Sequence, residues 1–424
     1  MEAMSDLPPG GAEFFGRMPL FREFARLMAG SSGPVNWELA RQVALATSAG
    51  TDLLGGQAAL PQPAAQPDPA ERRRWDDHVR LAELWLGPVI TLPGPDVAVT
   101  ARPRSRLDWI EWAITGLPPL IEPAAARTAG ALAAGPEAAG PFGPMVQQVG
   151  GLLFGIQVGT VMGQLARSVL GHYDLPVPMG DRGHLNVIPE NVAAFERSSG
   201  LPTDQIELYV ATRQLVGQRV FEGVDWVKGH LATLLEQIAG AIDPDVSGLA
   251  GRLQSLDMAN PESLQDLLAG DDLLGASSSP QLQAALGRLE AFLALTDGYT
   301  TTLTRRVLEG RLPALGPIEH ELRQAAQAPD GTARLVASML QADPDRSAGT
   351  RGERFCAEVL AATDVERLDR VWAHPNFLPT PEELDMPGAW LERMGLVGGE
   401  PVDLDEGLRE LLGEDDDGPE RPAG

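Results

Sequence analysis

The stretch that most invites a chemical reading is ATRQLVGQRVF, residues 211 to 221, where Arg213, Gln214 and Gly217 fall at i, i+1 and i+4 of a helical pattern. This is the spacing of H-E-x-x-H, in which two histidines one turn apart bind zinc and the glutamate beside the first activates the metal-bound water. None of those groups is present. Arginine does not deprotonate to become a ligand, glutamine is neither base nor anion, and glycine offers no side chain. Gly217 also weakens its helix, since alanine there would favour it by roughly 1 kcal/mol. Elsewhere His172, His184, His230 and His374 are scattered along the chain, and no G-x-S-x-G, P-loop or dinucleotide fingerprint accompanies them. His374, ahead of a proline in AHPNFLP, reads as a turn residue that satisfies local hydrogen bonds.

The elements that would position these residues are mostly helices. Residues 13 to 29 carry apolar side chains at helical spacing around Pro19, and Asn36 is placed to cap a helix starting at Trp37. A Pro/Ala/Gln-rich loop from Leu60 to Pro69 precedes a helix in PAERRRWDDHVRLAELWLG, ended by Gly87 and Pro88. Trp109 and Trp112, at i and i+3, share a face suited to core packing. The Pro/Gly/Ala-rich ARTAGALAAGPEAAGPFGP reads as a separator, with a boundary near residue 138. LNVI is the best short strand. Asn191 and Thr203 are placed as caps of the next two helices, with Gly200 ending the first. The second carries an apolar stripe of Ile206, Tyr209, Val210, Val216 and Val220, and a break follows at Gly223. Residues 243 to 280 are polar with short amphipathic pieces, helical patterning returns from Gln281, and 312 to 347 reads as surface helix plus loop.

The chain has 424 residues, 43% hydrophobic and only 5% aromatic, which suits a mostly helical core of Leu, Val and Ala. Its formal net charge of -26 excludes a nucleic-acid or anionic-membrane surface, which would need a basic footprint. Lys228 is the one lysine among 33 basic residues, consistent with a GC-rich genome. Cys356 stands alone, so no disulfide or cysteine zinc cluster forms, and a reducing, cytoplasmic setting is expected. The first residues have no basic region leading into an apolar one, as a secretory signal would. Residues 138 to 166 lack charge, and Gly151, Gly155, Gly159 and Gly163 make a smooth ridge on one helix face. Such a ridge packs helices in a bilayer or lets backbones approach closely in a soluble core. Gln147, Gln148, Gln157, Gln164, Pro141 and Pro144 favour the second, so no membrane span is expected.

Three longer runs carry a resemblance: LLFGIQVGTVMGQLARSVLGHYDLPVP, VIPENVAAFERSSGLPTDQIELYVATRQ and VWAHPNFLPTPEELDMP, together with the opening FFGRMPLFREFARLMAGSSGPVNWELARQVA. From about Phe14 to about Pro387 the sequence resembles the zincin-like hydrolases of actinobacteria, usually labelled zinc-dependent metalloproteases. One branch of that family is named for an association with deazaflavin-cofactor biosynthesis. The resemblance implies a mainly α, zincin-like metalloprotease fold with at most a small β element. With the compositional boundary near 138, residues 1–137 are expected to form an N-terminal helical region and 138–395 the zincin-like domain, while the charge run Glu414, Asp415, Asp416 and Asp417 marks 396–424 as an acidic, disordered tail.

In typical members zinc is the cofactor, held by H-E-x-x-H and by a glutamate in a later E-G pair. By position the first histidine falls on Arg213, the general-base glutamate on Gln214 and the second histidine on Gly217. The E-G pair matches Asp297-Gly298, which keeps a shorter carboxylate. The resemblance therefore implies a member that has lost zinc and catalysis and works as a binding or regulatory scaffold. No cofactor is expected, and a peptide or protein ligand would occupy the vestigial cleft. The alternative is an active metallopeptidase with relocated ligands drawn from His230, Glu222 or Asp225, each of which reads more simply as a surface or loop residue. His172 and His184 would border the cleft if the LNVI strand lines it. If the alignment holds, Arg213→His, Gln214→Glu and Gly217→His together should create zinc affinity.

Overall fold

Asn36 begins the described fold as the sequence places it. Its Oδ1 accepts from Leu39 N at 3.0 Å and caps helix α1, Trp37–Ser48. The computed structural model describes residues 33–50, 68–134, 143–175, 183–241, 279–328 and 348–396. The expected helix at 13 to 29, all but the last two residues of the polar stretch at 243 to 280, and the acidic tail beyond 396 lie outside these residues, as does most of the Leu60–Pro69 loop. That loop ends at Asp68, whose side chain caps α2, Pro69–Leu86.

After α2 come strand β1, Thr100–Pro103, and helices α3, Arg106–Gly116, α4, Pro118–Ala134, and α5, Gly143–Ser168. The expected separator is thus partly helix: α4 runs to Ala134, because alanine is the best helix former and glycine and proline concentrate only beyond it. A 3-10 turn, His172–Asp174, leads to strand β2, His184–Val187. Strand β2 matches the expected LNVI to within a residue and pairs in parallel with β1, from Thr100 opposite His184 to Pro103 opposite Val187. The TARP sequence of β1 lacks the alternation that announces a strand, and Pro103 suits only a short edge position.

Pro189, at the first helical position, opens α6, Pro189–Ser199, and Gly200 closes it in the left-handed conformation at φ 68°. Asn191 is therefore no cap. Its Nδ2 donates to Ala166 O and Val169 O at the end of α5. Thr203 is not a cap either: its hydroxyl donates to Glu196 Oε1 at 2.5 Å, tying α6 to α7, Thr203–Gly223. The chain then forms α8, Val227–Ala241, α9, Pro280–Leu308, α10, Leu315–Gln327, α11, Ala348–Ala362, and α12, Val365–Asp369. Two short helices, α13, Pro381–Asp385, and α14, Pro387–Arg393, complete the described fold, which is mainly α.

The glycine ridge of α5 has its partner in α1. A Cβ on Gly155 would lie 2.6 Å from Asn36 O, one on Gly159 would lie 2.7 Å from Val43 Cβ, and one on Gly163 would lie 2.6 Å from Ala44 O. Backbone meets backbone there, and Asn36 N donates to Gly151 O at 3.0 Å. Among the described residues no helix is long and apolar enough to cross a membrane.

Helix α7 is the centre of the larger core. Its expected stripe residues, Ile206, Tyr209, Val210, Val216 and Val220, are all buried, but so are Glu207, Thr212, Gln214, Gln218 and Glu222 on other faces. It is a helix enclosed on nearly all sides rather than an amphipathic one at the surface. Its buried charges are met by neighbours. Arg74 of α2 clasps Glu207 through two bonds of 2.8 and 2.9 Å, and Lys228 of α8 holds both Glu222 oxygens at 2.8 Å.

Candidate functional site

The middle of α7 brings together residues distant in sequence. Arg213 Nη2 donates to Asp297 Oδ1 of α9 at 2.5 Å, and its Nη1 donates to Thr301 Oγ1, one turn further along α9, at 2.6 Å. Its Nε lies 3.6 Å from Asp174 Oδ1 in the 3-10 turn. Burial alone would lower the Arg213 pKa, but Asp297, Tyr209 and Asp174 outweigh it and hold the guanidinium firmly protonated. Asp297 stays partly exposed, with its Oδ2 turned to the first turn of α11, where a Cβ on Gly349 would collide with it.

Gln214 is fully buried and both ends of its amide are engaged. Oε1 accepts from Tyr173 N at 2.6 Å, and Nε2 donates to Asp174 Oδ1 at 2.8 Å. The other oxygen of Asp174 accepts from Leu170 N at 2.6 Å and Gly171 N at 2.9 Å, so this carboxylate shapes the turn as well as facing α7. Tyr173 lies directly over Gly217: a Cβ there would sit 2.6 Å from Tyr173 Cβ and 3.1 Å from its Cγ. The mid-helix glycine is thus explained by close approach of the 3-10 turn. The expected triple replacement meets an obstacle here, because a side chain at position 217 would be driven into Tyr173, whose Cβ is met first, so the 3-10 turn must move before a second histidine can project.

The remaining histidines form no cluster. His172 is 2% exposed, wedged between Trp112 and Tyr173 at ring separations of 4.3 and 4.4 Å, and among the described residues neither ring nitrogen has a hydrogen-bond partner. Burial, with smaller contributions from Lys228 and Arg104, lowers its pKa to about 3, so it is neutral and lines the core rather than a cleft. His184 Nδ1 pairs with Thr100 Oγ1 at 2.9 Å across the two strands. His374 Nδ1 accepts from Asn376 N at 3.1 Å, the local turn bond expected of it. His230 packs against Trp226 and Phe292, Asp225 is exposed in the α7–α8 turn, and Glu222 is buried and ion-paired rather than a surface residue. Among the described residues no group of three or more His, Cys, Asp or Glu side chains could hold a metal ion.

Sequence reasoning missed Asp174, Tyr173 and Thr301, which complete the arrangement around Arg213 and Gln214. Asp174 lies 40 residues before Gln214, and only its HYDLP turn hinted at a fixed position. It also missed Asp369, whose Oδ1 accepts from Tyr299 at 2.6 Å and whose Oδ2 accepts from Thr91 N at 2.9 Å and Thr91 Oγ1 at 2.5 Å.

A mainly α chain with a two-stranded parallel sheet and a central buried helix carrying this centre is what a comparison with known families has to account for. A family model described as Zincin-like metallopeptidase matches residues 35–391, and the chain belongs to that family. Among solved structures it is similar to a "putative hydrolase with a novel fold" from Chloroflexus aurantiacus, at 23% identity and a TM-score of 0.56, covering 86% of this chain and 100% of that one. That likeness speaks to the fold. No curated protein matches. Zinc, which the family name implies, does not fit the described residues at this centre: a guanidinium, a spent amide and a covered glycine stand on α7, and the two carboxylates beside them, Asp297 and Asp174, are bound to Arg213 and Gln214 and are too few for a catalytic zinc, which uses three protein ligands.

Proposed function

We propose that this zincin-like metallopeptidase family member neither holds catalytic zinc nor hydrolyses peptides, and acts as a binding or regulatory scaffold for a peptide or protein ligand. Arg213, Gln214 and Gly217 are read as the family's metal-site positions, with Asp297 at the third ligand. The observation that carries this reading is Gln214. The residue beside the first ligand must activate water as a base, yet here it is an amide whose oxygen and nitrogen are both committed to Tyr173 N and Asp174. The relocated-ligand alternative finds no support in Glu222, His230 or Asp225, which face different neighbours. A reducing, cytoplasmic setting belongs to the same proposal and rests on Cys356 being the one cysteine and buried.

The test is to purify the untagged protein, quantify bound metal by mass spectrometry and assay hydrolysis of unstructured peptide substrates with zinc added. Sub-stoichiometric zinc and no zinc-dependent cleavage are expected. Stoichiometric zinc that disappears on Asp297→Ala or His230→Ala would overturn the scaffold reading.

A further inference from the structure

The zinc-free reading says what the centre lacks; its geometry also says what replaces it. Three elements converge on α7 at Arg213: α9 through Asp297 and Thr301, the 3-10 turn through Asp174, and α11 through the side of Asp297 facing Gly349. A metal ion in such a place would supply a fixed positive charge that draws carboxylates from separate elements into one centre. The guanidinium supplies the same charge on a planar fork that donates in several directions at once, and it is held permanently protonated.

We propose that the Arg213 guanidinium is a built-in cation standing where a metal would, locking Asp297 and Asp174 onto α7 so that the centre is assembled without zinc and closed to it. This inference rests on the reading of the preceding subsection. One carboxylate lies 2.5 Å from Nη2 and the other 3.6 Å from Nε, so both border the space that the guanidinium fills. Gln214 keeps Asp174 in register from the same helix. The cation is thus the component that excludes metal, and the carboxylates are the donors it holds in reserve.

That makes a substitution at one position decisive. Arg213→His replaces the cation by a neutral zinc donor while Asp174 and Asp297 remain, giving one imidazole and two carboxylates, a donor set suited to zinc. The experiment is thermal unfolding of the wild type, Arg213→His and Arg213→Met, each with and without added Zn2+ and with EDTA. The wild-type midpoint is expected not to move with either reagent. Both variants are expected to melt several degrees lower in EDTA, and Zn2+ should raise the midpoint of Arg213→His but not of Arg213→Met. A folded Arg213→His with no response to Zn2+ overturns the proposal. Should Arg213→His not fold, Asp297→Asn decides: it should lower the wild-type midpoint and leave that of Arg213→Lys less affected, since lysine cannot reproduce the fork. Equal losses in both backgrounds overturn the proposal. Stoichiometric zinc in the wild type would instead sink the scaffold reading itself, so the two failures are distinct.

Discussion

Tyr173 packs over Gly217 so closely that a single methyl group at that position has nowhere to go. Two effects compete in Gly217→Ala: helix propensity gains roughly 1 kcal/mol, and overpacking of a well-filled site costs typically about 1–3 kcal/mol. Because the first atom met is a Cβ fixed to backbone rather than the tip of a flexible side chain, relaxation has to move the 3-10 turn and the Asp174 bonds with it. The clash wins, and urea unfolding should show a net loss of about 1–2 kcal/mol; a variant more stable than the wild type would refute the packing account. At this scale the sequence exposed the anomaly but not its cause. The i, i+1, i+4 spacing singled out Arg213, Gln214 and Gly217, and the family resemblance picked Asp297, which lies in contact with Arg213. Asp174, Tyr173 and Thr301 stayed hidden because helical periodicity reports which face a residue occupies and not which distant segment meets it.

Helices α9 and α11 cross at two glycines. A Cβ on Gly298 would run into the backbone of Gly352, and one on Gly352 into Ala294 O. Gly298 is half of the D-G pair that drew attention as a ligand position, and its glycine serves this crossing, which delivers the first turn of α11 to Asp297. Gly352→Ala should therefore push the helices apart and cost about 1–3 kcal/mol or more. Chemical denaturation measures it, and an unchanged midpoint would show that the crossing tolerates a side chain. Helices with clear signals were legible as elements: Asn36 and Gly200 mark ends where a cap and a left-handed φ occur. Asn191 and Thr203 misled because a capping residue type next to a helix start was taken by tertiary bonds to Ala166, Val169 and Glu196. Strand β1 was not legible, since its pairing with β2 is a long-range fact and its four residues carry no alternating pattern.

For the molecule as a whole, His172 couples stability to pH. Its pKa is about 3 in the folded protein against 6.5 for the free side chain. Between those values the unfolded chain binds a proton at this position that the folded chain refuses. Stability from this group is therefore fully present above pH 6.5 and is lost as pH falls towards 3, by up to about 1.4 kcal/mol per pH unit. The midpoint of His172→Phe should fall less steeply than the wild type between pH 7 and pH 4.5 in thermal melts, and parallel curves would dismiss the assignment. The mainly α class was legible from composition and helical patterning, whereas the enclosure of α7 was not, because a charged residue such as Glu222 reads as surface until the surrounding helices are in place.

The pairing of α1 with the glycine ridge of α5 also has a consequence in time. Some hundred residues separate the two helices, and at roughly 5–20 residues per second of synthesis α1 waits on the order of ten seconds for its partner. A 12-residue helix is marginal in water by itself. The nascent chain therefore carries the face of α1 that meets Gly155, Gly159 and Gly163 uncovered while α2, α3 and α4 are made.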